Sequence, residues 1–126
     1  MLLALSASCH ESTAPDDPVG KYVLASVDAK TLPVTMYSDT GYSLIVTAGA
    51  LTLTADQKYS GTITTKETVD GVASVYVDQL VGTWVQFSNG SVAITPTGGA
   101  VITASLAAGK LTVPQSDGVY AYTRSP

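Results

Sequence analysis

The stretch from Gly49 to Thr65, GALTLTADQKYSGTITT, decides the fold that we predict for this chain. Its first half alternates leucines with threonines, and its second half alternates Tyr59 and Ile63 with hydroxyl-bearing side chains. Successive side chains on a strand point to opposite faces of a sheet, so each half offers one apolar and one polar face. A short polar connection, in which Asp56 favours a turn, joins the two halves. The stretch therefore predicts an antiparallel hairpin with one buried face.

The sequence on both sides of this hairpin continues the pattern of strands and tight turns. Asp70-Gly71 and Asn89-Gly90 are typical of two-residue hairpin turns. Gly82 falls inside a long predicted strand and indicates a bulge or a bend there. The weak pattern of residues 34–41 predicts a loop with at most one short strand. Strands are predicted at residues 20–27, 42–46, 49–54, 59–65, 72–87, 91–95, 100–106, 111–113 and 119–124.

About eight strands joined by short turns, without an amphipathic helix, predict an all-β domain. Short connections make sequence neighbours antiparallel neighbours in space. Such strands either close into an up-and-down barrel or stack as a sandwich. A Greek-key sandwich needs a long crossing connection, and none is visible after Gly49. We therefore predict an antiparallel up-and-down barrel over residues 20–126.

The composition limits the size of the fold and its partners. The 126 residues suffice for one domain, and 45% hydrophobic with 13% charged residues argues against disorder. The net charge is −4, and the six lysines and arginines form no cluster. Nucleic-acid binding depends on clustered positive charge, so we expect no nucleic-acid partner.

The front of the chain differs from the rest in composition. Residues 1–8, MLLALSAS, are apolar and end in small residues directly before Cys9, the only cysteine. Residues 9–19 are polar and contain prolines and the adjacent Asp16 and Asp17, which predicts an extended tether. Neighbouring side chains on an extended chain point apart, so we interpret the two aspartates as solvated rather than metal-binding.

This arrangement resembles the leader of a bacterial lipoprotein, although Ser6 stands where that pattern has a leucine. The resemblance implies a truncated signal segment, export, lipid attachment at Cys9 and a membrane anchor through that lipid alone. The chain would then reside in the cell envelope, or outside the cell if it is released. The alternative is an ordinary N-terminus with an incidental thiol.

Two short motifs in the folded part resemble the lipocalin-like, or calycin, barrels. Gly20-Lys21-Tyr22 opens the first strand, and Arg124 ends the last one. In that family a Gly-x-Trp opens the first strand and an arginine packs over its ring, so the resemblance implies a contact between Tyr22 and Arg124. Here Tyr22 replaces the tryptophan. Within that family the chain resembles small secreted lipocalin-like lipoproteins of bacteria.

The residue types needed for common catalytic sites are scarce in the predicted domain. The only histidine, His10, and the only cysteine both lie in the tether, so a nucleophilic triad or a zinc site cannot be assembled in the barrel. Asp78 is the one aspartate inside a predicted strand, facing either the lumen or water. We therefore predict a protein that is not an enzyme and uses neither a metal nor a cofactor.

Two hypotheses about function remain open. In the first, the barrel binds a small apolar or amphiphilic ligand, because eight strands can enclose one small molecule. In the second, the barrel is filled and serves as a tethered interaction or inhibitor module, using its outer surface and residues 34–42. The candidate ligand-binding residues are Tyr22, Tyr59, Tyr76, Trp84 and Ile102.

Overall fold

The computed structural model describes residues 16–125, which form ten β-strands. All pairings between these strands are antiparallel. The strands are β1 (Gly20–Val27), β2 (Lys30–Thr31), β3 (Val34–Asp39), β4 (Tyr42–Leu53), β5 (Lys58–Val69), β6 (Val72–Gln86), β7 (Val92–Pro96), β8 (Ile102–Ala107), β9 (Lys110–Gln115) and β10 (Gly118–Arg124).

Eight of these strands close into a barrel. From β4 to β10 each strand pairs with the next one along the chain, and β1 closes the ring by pairing with both β10 and β4. The two short strands β2 and β3 extend the sheet beside β1 and β4. The predicted all-β, antiparallel up-and-down barrel is confirmed, and it is compatible with a lipocalin-like fold.

The two sides of the barrel differ in length. Strands β4, β5 and β6, the long wall, contain 12, 12 and 15 residues. Strands β7 to β10, the short wall, contain between 5 and 7 residues each. β7 pairs only with the last part of β6, from Gly82 onward, so the first part of β6 extends beyond the short wall. The long wall therefore overhangs one end of the barrel, which we call the open end.

The opposite end, the closed end, is filled by side chains that alternate into the lumen. Tyr22, Tyr59, Trp84 and Tyr122 are all buried there. The Trp84 indole Nε1 donates to the Thr54 carbonyl oxygen at 3.0 Å, so its polar atom is satisfied although the ring is buried. Aliphatic side chains from most of the barrel strands form the buried core between the two ends: Leu24, Val27, Val46, Leu51, Leu53, Val92, Ile94, Leu111 and Val113.

Gly82 permits a close approach between strands. The β5–β6 register runs through it without a shift, so the bulge that the sequence suggested at this position is absent. A Cβ atom at Gly82 would lie 2.1 Å from the Thr95 carbonyl oxygen and 2.7 Å from Cε2 of Tyr59. The glycine is required because the backbone of β7 and the Tyr59 ring occupy the space of a side chain.

The region before the central hairpin is more regular than the sequence pattern suggested. Residues 42–46, predicted as a separate strand, are the first part of β4, which passes through a register irregularity between Val46 and Ala48. Most of residues 34–41, predicted mainly as a loop, belong to β3, which pairs with β4. The turn between them contains Gly41 at a φ of 76°, a conformation that glycine adopts without strain.

The last residues of the predicted tether lie against the closed end. The Asp16 carbonyl oxygen accepts a hydrogen bond from Nε2 of Gln86 at 2.7 Å, and its carboxylate accepts one from the Gly109 amide at 3.2 Å. Pro18 is buried. Residues 16–18 are thus held by the barrel rather than extended into solvent. Within the part of the chain that the structure describes, there is no helix long and apolar enough to cross a membrane.

Candidate functional site

The open end contains a cavity of about 580 Å³ beneath the overhanging long wall. Strands β3 to β6 line one side of it, and the start of β10 with the preceding turn lines the other. Its lining residues are Met36, Tyr37, Leu44, Val46, Ile63, Thr65, Tyr76, Asp78, Leu80, Asp117 and Tyr120. We refer to this space as the mouth cavity.

The alternation of side chains along the long wall determines which residues face the mouth cavity. On β6, Tyr76, Asp78 and Leu80 share the inner face with Trp84, while Val75 and Val77 lie on the outer face. The partners opposite them on β5 are Thr65, Ile63 and Gly61. The inner face is aliphatic near the core and becomes polar toward its tip, so the cavity has an apolar floor and a polar rim.

A group of tyrosines surrounds Glu67 at the rim. The Tyr42 hydroxyl donates to Oε2 of Glu67 at 2.8 Å, and the Tyr76 hydroxyl donates to Oε1 at 3.3 Å. The Tyr37 ring packs against the Tyr42 ring with a centroid distance of 5.6 Å and a tilt of 56°. These contacts link β3, β4, β5 and β6 beyond the region where the barrel is closed, and they hold the inner face of the overhang in place.

Two tyrosines at the open end, Tyr42 and Tyr120, have raised pKa values, which favours the neutral phenol. The hydrogen bond to Glu67 raises the pKa of Tyr42, and burial together with a hydrogen bond to Asp117 raises the pKa of Tyr120. The Tyr120 hydroxyl donates to the Asp117 carboxylate at 2.9 Å. At neutral pH the rim therefore presents hydroxyl groups that donate to carboxylates.

The charged residues that line the mouth cavity are all acidic. Asp78 and Asp117 lie on opposite sides of it, and Glu67 lies at its rim. Among residues 16–125, no lysine, arginine or histidine lines this cavity. Asp78 is exposed, so it is open to water while it lines the cavity. The polar part of the site thus favours neutral or positively charged groups over anions.

A second, smaller cavity of about 210 Å³ lies against β6, β7, β8 and β9. Leu80 lines both cavities. This second cavity is bounded by Tyr59, Ile102 and Tyr122 with aliphatic side chains of the core, and by the exposed Gln79, Thr97 and Gln115. It therefore adds apolar room next to the floor of the mouth cavity.

The five predicted ligand-binding residues are divided among three places. Tyr76 lines the mouth cavity, and Tyr59 and Ile102 line the second one. Tyr22 and Trp84 line neither of these cavities. Both pack in the closed end, because Tyr22 lies near the start of β1 and Trp84 near the end of β6. Their polar atoms donate hydrogen bonds to backbone carbonyl groups there.

The residues implied by the lipocalin resemblance meet at the closed end. Tyr22 pairs with Arg124 across β1 and β10, and the guanidinium carbon lies 5.2 Å from the Tyr22 ring centroid. Nη2 of Arg124 donates to the Tyr22 hydroxyl at 2.6 Å and to the Asp17 carbonyl oxygen. The Tyr22 hydroxyl in turn donates to the Pro18 carbonyl oxygen at 2.7 Å. This network joins the first strand, the last strand and the entering chain.

Several lining residues were not singled out from the sequence. Met36, Leu44 and Leu80 contribute most of the apolar floor together with Val46 and Ile63. Leu80 precedes Trp84 by four residues, so alternation along the strand places both on the same face. This pattern could have identified Leu80 as a lining residue. Met36 carried no such signal, because its strand was interpreted mainly as a loop.

The remaining site predictions concern the front of the chain. Cys9 and His10, and with them the predicted signal segment, lie outside the described residues. Asp16 and Asp17 make separate contacts, since the Asp17 carboxylate accepts from the Val19 amide. Over residues 16–125 the structure contains no group of three or more side chains suited to hold a metal ion.

The fold and the site can be compared with known proteins. No family model matches this chain, and searches of curated proteins and of solved structures found no significant match.

Proposed function

We propose that this protein binds a small amphiphilic ligand in the mouth cavity and does not catalyse its conversion. The observation that carries the proposal is the volume of about 580 Å³ at the open end, with an apolar floor. Ligand sites of this kind have volumes of about 300–1,000 Å³ and combine mainly apolar walls with a few polar groups. The closed end is filled, so the ligand would enter from the overhanging side.

The lining predicts the chemistry of the ligand. An alkyl or aromatic part would pack against Leu44, Ile63 and Leu80, where burial contributes about 25 cal/mol per Å² of apolar surface. A polar head would meet the Tyr76 hydroxyl and the carboxylate of Asp78. A carboxylate head would be repelled there, whereas an alcohol or a protonated amine would be accepted. We therefore expect neutral or cationic amphiphiles to bind in preference to fatty acids.

The test is a calorimetric titration with decylamine, decanol and decanoate, below the concentrations at which they form micelles. We expect the amine and the alcohol to bind more tightly than the carboxylate. Thr65→Trp, which places an indole in the cavity, should abolish binding. Thr64→Trp is the matched control, because Thr64 neighbours Thr65 but lies on the opposite face of β5. Equal binding by both variants, or none by the native protein, would overturn the proposal.

The predicted lipid anchor adds an orientation to this proposal. The described chain enters at the closed end, where Asp16 and Pro18 contact the barrel. A protein attached to a membrane through Cys9 would then have its open end directed away from the lipid surface. Intact mass of the membrane fraction, after expression with the native upstream region, tests the attachment. A protein that retains residues before Cys9, or lacks added acyl mass, would refute the anchor.

A further inference from the structure

The overhanging part of β6 leaves one edge of the sheet unpaired. β6 pairs with β5 along residues 72–83, and β7 pairs with it only from Gly82 onward. Within residues 16–125, no strand pairs with the other side of residues 72–80. We call this segment, VASVYVDQL, the free edge.

The unpaired backbone amide and carbonyl groups of the free edge can form hydrogen bonds with a further strand. The Trp84 amide donates toward the β5 side, to Gln57, while the Val81 carbonyl oxygen accepts from Thr97 on the other side. Alternation along the strand therefore directs the amide and carbonyl groups of Ala73, Val75 and Val77 away from β5. These groups lie on the side that lacks a neighbouring strand.

Natural proteins protect exposed edges with charges, prolines, bulges or short strands, and the free edge has almost none of these. Its only charged residue is Asp78, it contains no proline, and its register with β5 is unbroken. Its valines are unusually exposed, with 68% for Val72, 66% for Val75 and 53% for Val77. An edge of this composition is typical of a surface that pairs with another strand.

The edge strand on the other side of the overhang, β3, shows the protective features. It has 6 residues, follows Pro33, and its register shifts between Thr35 and Tyr37. It also ends in Asp39. One edge of the overhang is thus protected against pairing and the other is not. The difference between them indicates that pairing is specific to β6.

We propose that the free edge pairs with the same edge of a second copy, giving a two-fold symmetric dimer with a continuous sheet. An antiparallel pair centred on Tyr76 places Val75 of each copy opposite Val77 of the other. It also places Asp78 opposite Ser74, and Val72 opposite Leu80. Each carboxylate then meets a hydroxyl instead of another carboxylate, and the exposed valines cover one another. The strand is self-complementary in this register, which is why the partner is a second copy.

A neighbouring register is less favourable. Centring the pair on Val77 would place Val75 opposite Gln79, and centring it on Asp78 would place two carboxylates opposite each other. Like charges directly opposite on paired strands are destabilising. The register centred on Tyr76 also brings two tyrosines that line mouth cavities to the symmetry axis, so the cavities of the two copies would adjoin.

The first test is the mass of the purified full chain in solution, by light scattering and sedimentation from about 1 to 100 µM. We expect twice the mass of 12.9 kDa. Val75→Lys with Val77→Lys should weaken the dimer by about tenfold or more, because four lysines would face one another. Thr62→Lys with Thr64→Lys is the matched control, because it adds the same charge to the same face of the sheet on the neighbouring strand, β5. A monomeric native protein, or equal loss in both variants, would overturn the proposal.

The second test examines the register, in a Cys9→Ser background. Residues opposite each other in a non-hydrogen-bonded antiparallel pair have Cα atoms about 4.5 Å apart, within the range for a disulfide. Tyr76→Cys should therefore form a covalent dimer on mild oxidation, several times faster than Thr64→Cys. Equal rates for both cysteines would contradict the proposed pairing. The result is independent of ligand binding, so it does not depend on the proposed function.

Discussion

The closed end and the open end of this barrel are built from the same strands with opposite outcomes. At the closed end Tyr22, Trp84 and Tyr122 are buried, and strands from both walls pair around them. At the open end Tyr76 and Tyr37 are half exposed, and only the long wall and β3 continue. The aromatic side chains are similar, so the difference comes from the lengths of the strands around them. We therefore expect the closed end to contribute most of the stability, and under the proposed function the open end receives the ligand.

The largest expected contrast is between Trp84 and Tyr76, which lie on the same face of β6. Trp84→Ala should lower the free energy of unfolding by about 3–5 kcal/mol, because it removes a buried ring and a hydrogen bond to Thr54. Tyr76→Ala should change it by less than about 1 kcal/mol, since the ring is 50% exposed. Urea unfolding followed by circular dichroism measures both. Similar losses would show that the overhang belongs to the same stability unit as the closed end.

A smaller difference between the two ends is expected in the loss of folding stability at alkaline pH. Burial raises the pKa of Tyr122 to about 12, and burial also raises that of Tyr59. The folded state thus favours the neutral phenol, so this stabilisation is complete below the unfolded pKa of about 10 and is lost as the pH rises toward 12. For Tyr122 the loss is about 2–3 kcal/mol at about 1.4 kcal/mol per pKa unit.

Unfolding titrations at pH 8, 10 and 11.5 check this expectation. Tyr122→Phe should flatten the fall in stability above pH 10. Tyr42→Phe at the open end is the comparison, because the pKa of Tyr42 is raised mainly by its hydrogen bond to Glu67 at an exposed rim. That variant should leave the pH dependence of stability nearly unchanged. A profile that responds equally to both variants would contradict the assignment of stability to the closed end.

The barrel could be predicted from the sequence because the signals for its strands and turns are local. Alternation in β5 and turn pairs such as Asp70-Gly71, with φ values of 49° and 84°, determine strands and antiparallel neighbours. The contact between Tyr22 and Arg124 could also be anticipated, since the two residues lie at the start and end of strands that must pair to close a ring.

The candidate site was less predictable because it depends on relative strand lengths. Periodicity predicts where side chains point but not where a neighbouring strand stops, so it could not show that Trp84 is covered while Tyr76 is open. Asp16 illustrates a second limit. Its polar neighbours predicted a solvated tether, whereas the Gln86 side chain and the Gly109 amide provide partners from distant parts of the chain.

The smallest expected effect compares two tyrosine hydroxyls. Tyr22→Phe removes a hydroxyl that donates to the Pro18 carbonyl oxygen and accepts from Arg124, while it keeps the ring in place. The buried Pro18 carbonyl group and the half-buried guanidinium would each lose a partner, and an unmade buried hydrogen bond costs about 1–2 kcal/mol. Denaturant unfolding should detect this loss as an earlier midpoint with an unchanged slope.

Tyr37→Phe provides the open-end counterpart. The Tyr37 hydroxyl donates to Oδ2 of Asp39 at 3.3 Å, and the side chain is 53% exposed. Water can replace this bond, so the free energy of unfolding should change by less than about 0.5 kcal/mol. If both variants lose the same stability, the Tyr22 hydroxyl is not a structural link between the entering chain and the last strand. If only Tyr22→Phe is destabilised, residues 16–18 take part in closing the barrel, because their carbonyl groups are the partners that the hydroxyl and Arg124 hold together.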